Sequence, residues 1–235
     1  MQSPHQMVAQ AIEREKAEQL GFMYKVYAIM TLGLGLTGTM AMIVARIPAL
    51  TELVFGNRLV FYGLLGAELI CVISFVALVE KVNWVTAAGL FIFYAALNGV
   101  TFSFIFLVYT TSSIASAFFV TAGTFAAMSA YGYVTKRDLT SWGSFLFMGL
   151  IGLIIASVVN LFLGSELIYW LTTFAGVLIF TGLTAYDTQK IKELNKLGNA
   201  GTAEDHKEAI HGALILYLDF INLFLYLLRL FGRRD

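Results

Sequence analysis

The stretch AIHGALILYLDFINLFLYLLRLF, Ala209–Phe231, reads as a membrane-spanning helix with one anomaly, Asp219, near its middle. About 20 consecutive apolar residues cross a bilayer. A central Asp costs roughly 2.5 to 3.5 kcal/mol to insert, so a carboxylate there marks an ion path, a proton relay or a buried polar contact.

The rest of the 235-residue chain fits the same setting, since 59% of it is hydrophobic and only 13% is charged, which excludes an ordinary soluble domain. The 54 positions from Val82 to Thr135 carry no charge, long enough for two spans with the polar cluster Tyr109 to Ser113 as the turn. Extended along the chain, this reading predicts an all-α integral membrane protein. Its seven spans lie at 26–45, 59–79, 84–109, 113–134, 142–163, 167–187 and 209–231. Residues 1–21 form a polar cytoplasmic tail without a cleavable signal, in which Val8 to Leu20 is expected as a frayed surface helix, and residues 22–235 form the transmembrane domain.

Lys and Arg concentrate on cytoplasmic loops. With the N-terminus inside, ten of the 15 basic residues fall on that side, against Arg46, Arg58, Arg229, Arg233 and Arg234 on the other. Because three of those five lie in the C-terminal tail, a re-entrant last segment is the alternative to a seventh crossing. Zero net charge speaks against a nucleic-acid partner. Cys71 stands alone and excludes a disulfide framework. His5, His206 and His211 lack metal-ligand spacing, and no cofactor is expected. Ala95/Gly99 and Gly152/Ala156 are small-residue pairs suited to close helix contact.

Within the spans the polar residues are few. Glu68 and Asp219 fall at matching depth, roughly 15 Å from the cytoplasmic side. Each is either functional or a protonated packing contact. Asp187 closes the sixth span and lies either in the headgroup zone or a turn inside it, if Lys190 and Lys192 snorkel outward. In the second case Asp187 and Asp219 can meet. Two carboxyls in a low-dielectric site titrate as a unit. One proton held between them closes a gate, and its loss creates a cation-attracting site that could hold calcium transiently. Asn222, one turn beyond Asp219, is either a carbonyl ligand or a packing hydrogen bond.

The segments Thr184-Ala-Tyr-Asp-Thr-Gln-Lys190, Gly212 to Leu225, Leu-Leu-Arg229-Leu-Phe-Gly232 and Tyr131 to Leu139 strongly resemble the bacterial inner-membrane branch of the Bax-inhibitor family of transmembrane proteins. The resemblance covers essentially the whole chain. It implies a seven-helix fold with the last helix central and wrapped by the other six. It also implies a pH-sensitive calcium leak channel with Asp187 and Asp219 as the sensor and Glu68 on the ion path. Some bacterial relatives instead modulate a membrane-bound protease, so the alternative is a non-transporting interaction protein. One departure concerns the family's latch arginine at the end of the second helix. Its position falls on Val79, followed by Glu80 and Lys81. Lys81 is then the candidate latch toward Asp187, without the planar fork of Arg.

An intramembrane aspartyl protease is a poorer match. Tyr186-Asp187 fits its first motif, but Leu216-Tyr217-Leu218-Asp219 lacks both glycines of the second. The chain is therefore expected not to be an enzyme. Its expected partners are membrane lipid and a permeant cation.

Overall fold

The computed structural model describes residues 4–195 and 198–233, so Lys196 and Arg234, both counted for orientation, lie outside the described residues. The described chain is helical almost throughout. Its elements are α1 (Pro4–Arg46), α2 (Pro48–Phe55), α3 (Arg58–Leu78), α4 (Trp84–Phe102), α5 (Ile105–Val108), α6 (Thr111–Val134), α7 (Thr140–Leu163), α8 (Glu166–Leu194) and α9 (Ala203–Phe231). Among the described residues, seven helices are long and apolar enough to cross a membrane.

Local chemistry sets the boundaries. Asn57, Asn83, Thr110, Ser165 and Thr202 each accept a backbone N–H of the first turn that follows, starting α3, α4, α6, α8 and α9. Gly164 ends α7 with φ of 60°, a left-handed cap that suits glycine. The third span is not one helix. Ser103 donates its hydroxyl to the Val100 carbonyl at 2.6 Å and its backbone N–H to the same oxygen, breaking the span before α5.

Three further differences from the sequence reading have local causes. First, α1 runs unbroken through the polar N-terminal stretch, where no frayed segment separates from the first span. The sequence from Ala9 to Leu20 is rich in strong helix formers, an Arg14–Glu18 pair at 3.2 Å braces one face, and Glu18 accepts the Gly198 N–H at 2.9 Å. Second, α8 continues seven residues past Asp187, placing that residue about 10 Å inside the helix end. Third, α9 is a single continuous helix, so the last segment is not a re-entrant hairpin.

The deepest burial falls on α9, which packs against α1, α4, α6 and α8. Leu214, Leu216, Tyr217, Leu223 and Leu228 of α9 are at most 1% exposed. The other two spans stand further out. The main packing of α3 is on α4, with Phe75 reaching the His211 ring at 6.4 Å, while α7 packs on α8. Glycine permits the tightest crossings: a Cβ at Gly132 would strike the Ala185 backbone of α8, and one at Gly99 the Thr37 backbone of α1. Gly152, expected as a contact, meets nothing within 4 Å because α7 turns that face outward.

Candidate functional site

Two adjoining helices bring Asp187 and Asp219 together. Asp219 is 4% exposed at the middle of α9, and Asp187 is half-buried on the facing side of α8. Their carboxyl groups lie close enough to share a hydrogen bond. Such a bond requires one of the two to carry a proton, because ionised carboxylates only accept. Asp219 Oδ2 is buried with no hydrogen-bond partner among the described residues.

The frame around the pair is built from rings and small residues. Gly143 of α7 leaves room for the Tyr186 ring, and Gly176 of α8 for the Tyr226 ring, which stacks on Phe180 at 5.8 Å. Thr188 donates to Ser129 Oγ at 3.2 Å, anchoring α8 to α6 one residue from Asp187. These contacts hold the face of α8 that carries the carboxyl.

Both aspartates line a cavity of about 1010 Å³ between α3, α7, α8 and α9. Leu69, Val72 and Ile73 form its α3 wall and Gly143, Ser144 and Phe147 part of its α7 wall. Among the described residues, no Lys, Arg or His lines it, and an ionised pair here would have no counter-charge on the cavity wall. Asn222 also faces this cavity, while its amide nitrogen donates to the Leu218 carbonyl at 2.8 Å.

Glu68 is not among the residues lining that cavity. It belongs to a second polar cluster beside Thr101 of α4, and among the described residues Glu68 Oε1 and Thr101 Oγ1 are buried with no partner in hydrogen-bond geometry. Tyr94 and Tyr217 lie near enough to feel the Glu68 charge. The Tyr217 and Thr37 hydroxyls share a hydrogen bond of 2.7 Å, and the Ala95 carbonyl accepts from Thr37 Oγ1 at 2.8 Å. Lys81 is exposed on the turn after α3 and forms no ion pair among the described residues, while Val79, at the latch position, is buried in the core. The structure thus unites Asp187, Asp219 and Asn222 and sets Glu68 and Lys81 apart.

Sequence reading missed Thr101, Tyr94 and Tyr217, whose types are common in any span. It also missed the Lys25–Asp205 ion pair, in which Asp205, 1% exposed, additionally accepts the Gly201 N–H at 2.7 Å. The signal for it was faint: a Lys at the edge of the first span and an Asp in the first turn of the last helix. Among the described residues, no three His, Cys, Asp or Glu side chains gather as a metal site.

Among the described residues, seven helices long and apolar enough to cross a membrane, with two acids on a shared cavity wall, define a polytopic helical membrane protein. Residues 19–235 match the family described as "Inhibitor of apoptosis-promoting Bax1", and the chain belongs to that family. It is 50% identical over 225 residues to the inner membrane protein YbhL of Escherichia coli strain K12, covering 95% of this chain and 96% of that one. An uncharacterised protein of Borreliella burgdorferi is 43% identical over 226 residues, covering 95% and 97% respectively. One of Rickettsia prowazekii is 46% identical over 217 residues, covering 91% and 89%.

Proposed function

We propose that this protein is a pH-sensitive cation leak channel of the bacterial inner membrane, with calcium as the permeant ion and the Asp187–Asp219 pair as the gate. The observation that carries the reading is the cavity of about 1010 Å³ lined by both carboxyls and, among the described residues, by no basic one. The membrane assignment rests on the seven spans and on the inner-membrane relative. The N-terminus is taken as cytoplasmic from the distribution of Lys and Arg. No catalytic step is assigned.

At low pH one shared proton bridges the pair and ties α8 to α9. Its loss places two negative charges side by side, which loosens the tie and draws a cation to the cavity. A hard divalent cation suits carboxylate and amide oxygens, and Asn222 stands one turn from Asp219 to supply one. Flux therefore rises with pH.

The test is calcium flux into liposomes carrying the purified protein across about pH 5 to 8, a range meant to catch the stepwise titration of a coupled pair. Asp187→Asn and Asp219→Asn, measured beside the parent, are expected to lose its pH dependence. Flux that is activated by acid contradicts the gate. Absence of flux above empty liposomes at every pH removes the channel reading in favour of an interaction protein.

A further inference from the structure

A second built site lies where α6, α7 and α8 emerge, away from the aspartates. A polar pocket of about 380 Å³ is lined by Thr135, Lys136, Arg137, Asp138 and Lys192 among others. Its floor is rigid. Gln189 of α8, 8% exposed, accepts the Leu139 N–H at 2.9 Å and donates to the Arg137 carbonyl at 2.9 Å, clamping the α6–α7 loop onto α8. Lys192 donates to the Tyr133 carbonyl at 3.1 Å, with its ammonium 4.8 Å from the Tyr133 ring centre.

Two acids, Asp138 and Glu193, also line this pocket, and each has a partner of its own. The Asp138 carboxylate accepts the Thr140 hydroxyl at 2.5 Å and the Thr140 N–H at 2.8 Å, contacts that hold its carboxyl below the ordinary range. Glu193 takes Lys190 at 2.8 Å. Lys136 and Arg137 pair with no carboxylate among the described residues. Arg137 and Asp138 also border a neighbouring apolar groove of about 330 Å³, lined by Met128, Tyr131, Trp142 and Leu146. Trp142 is 64% exposed and Tyr131 44%, as suits amphipathic rings at headgroup level.

We propose that this pocket and groove together bind one anionic phospholipid, its phosphate against Lys136, Arg137 and Lys192 and an acyl chain along Tyr131, Trp142 and Leu146. Lys136 and Arg137, without a carboxylate partner among the described residues, suit a phosphate, Lys192 adds positive charge from its perch on Tyr133, and Arg offers the fork that engages a phosphate in two-point fashion. A soluble phosphate would use the polar pocket alone, whereas the continuous apolar groove fits a lipid chain. Basic pockets between helices at the membrane face are a known form of headgroup recognition.

The test uses the full-length protein in neutral detergent. Native mass spectrometry follows retention of phosphatidylglycerol against phosphatidylcholine with the same chains, and thermal-shift arms use inorganic phosphate and glycerol phosphate. The parent is expected to prefer phosphatidylglycerol by about tenfold. Lys136→Gln/Arg137→Gln removes the preference, and Arg46→Gln/Arg58→Gln, distant in sequence, keeps it. The proposal is overturned by a parent without preference, by equal preference in Lys136→Gln/Arg137→Gln, or by equal loss in both double variants. Protection by either soluble phosphate as strong as that by phosphatidylglycerol also overturns it, in favour of a soluble-anion site.

Discussion

Asp219 Oδ2 illustrates how a single atom can be kept at the expense of stability. A buried carboxyl oxygen without a donor leaves a desolvation cost uncompensated, and an apolar side chain of similar size avoids it. Asp219→Leu is therefore expected to stabilise the protein by about 1 to 2 kcal/mol. The same substitution should abolish pH-dependent flux. Thermal unfolding in detergent and liposome flux check the two halves, and a variant that unfolds at lower temperature would show Asp219 to be a packing residue. Lys25 lies at the opposite extreme. Its partner Asp205 is 1% exposed, so Lys25→Met strands a buried charge and should cost about 2 kcal/mol of stability, read in the same thermal scan. Adding Asp205→Asn to Lys25→Met should recover part of the loss. Asp219 was legible in the sequence because a charge within an apolar run is expensive wherever it sits. Asp205 was not, since an acid in a first helical turn is common and its burial depends on α1, a distant part of the chain.

At the scale of helices, glycine separates real crossings from apparent ones. Gly99 faces the α1 backbone, whereas Gly152 faces open space. Gly99→Ala should therefore cost about 1 to 3 kcal/mol by forcing α1 from α4, and Gly152→Ala should leave stability unchanged or slightly raised. Comparable losses in both would show that α7 has a partner on its outward face. Hydropathy read from the sequence located all seven spans, because length and apolarity are local properties. It could not separate a helix on the core from one on the rim, since lipid and protein interiors are equally apolar and both faces of a span look alike. For the same reason the break at Ser103 and the extension of α8 past Asp187 were hidden. They depend on a serine hydroxyl turned back on Val100 and on Gln189 gripping a loop 50 residues earlier. The aspartate pair lay between these cases: each residue could be singled out, but their meeting depended on α8 continuing beyond the span boundary.

For the whole molecule, the arrangement matters more than the helix count. The inner group of α1, α4, α6 and α8 packs on α9, while α3 and α7 stand on either side of the aspartate cavity. If ions pass through that space, a charge fixed on its wall must change the flux according to sign and not merely size. Ser144 of α7 is exposed to the cavity and suits such a probe. In a Cys71→Ala background, Ser144→Cys can be joined to thiol reagents of similar bulk bearing either an ammonium or a sulfonate. For a nominal separation of about 12 Å and an effective dielectric of about 20, an added unit positive charge opposes a cation by about 1.4 kcal/mol, or about tenfold in occupancy. The ammonium adduct should accordingly depress calcium flux by about tenfold at the pH where the parent leaks most, and the sulfonate adduct should not. Equal inhibition by both would mean obstruction without electrostatic selection. No effect from either would place the path elsewhere and direct attention to the Glu68–Thr101 cluster, where a second buried carboxyl oxygen has no hydrogen-bond partner among the described residues.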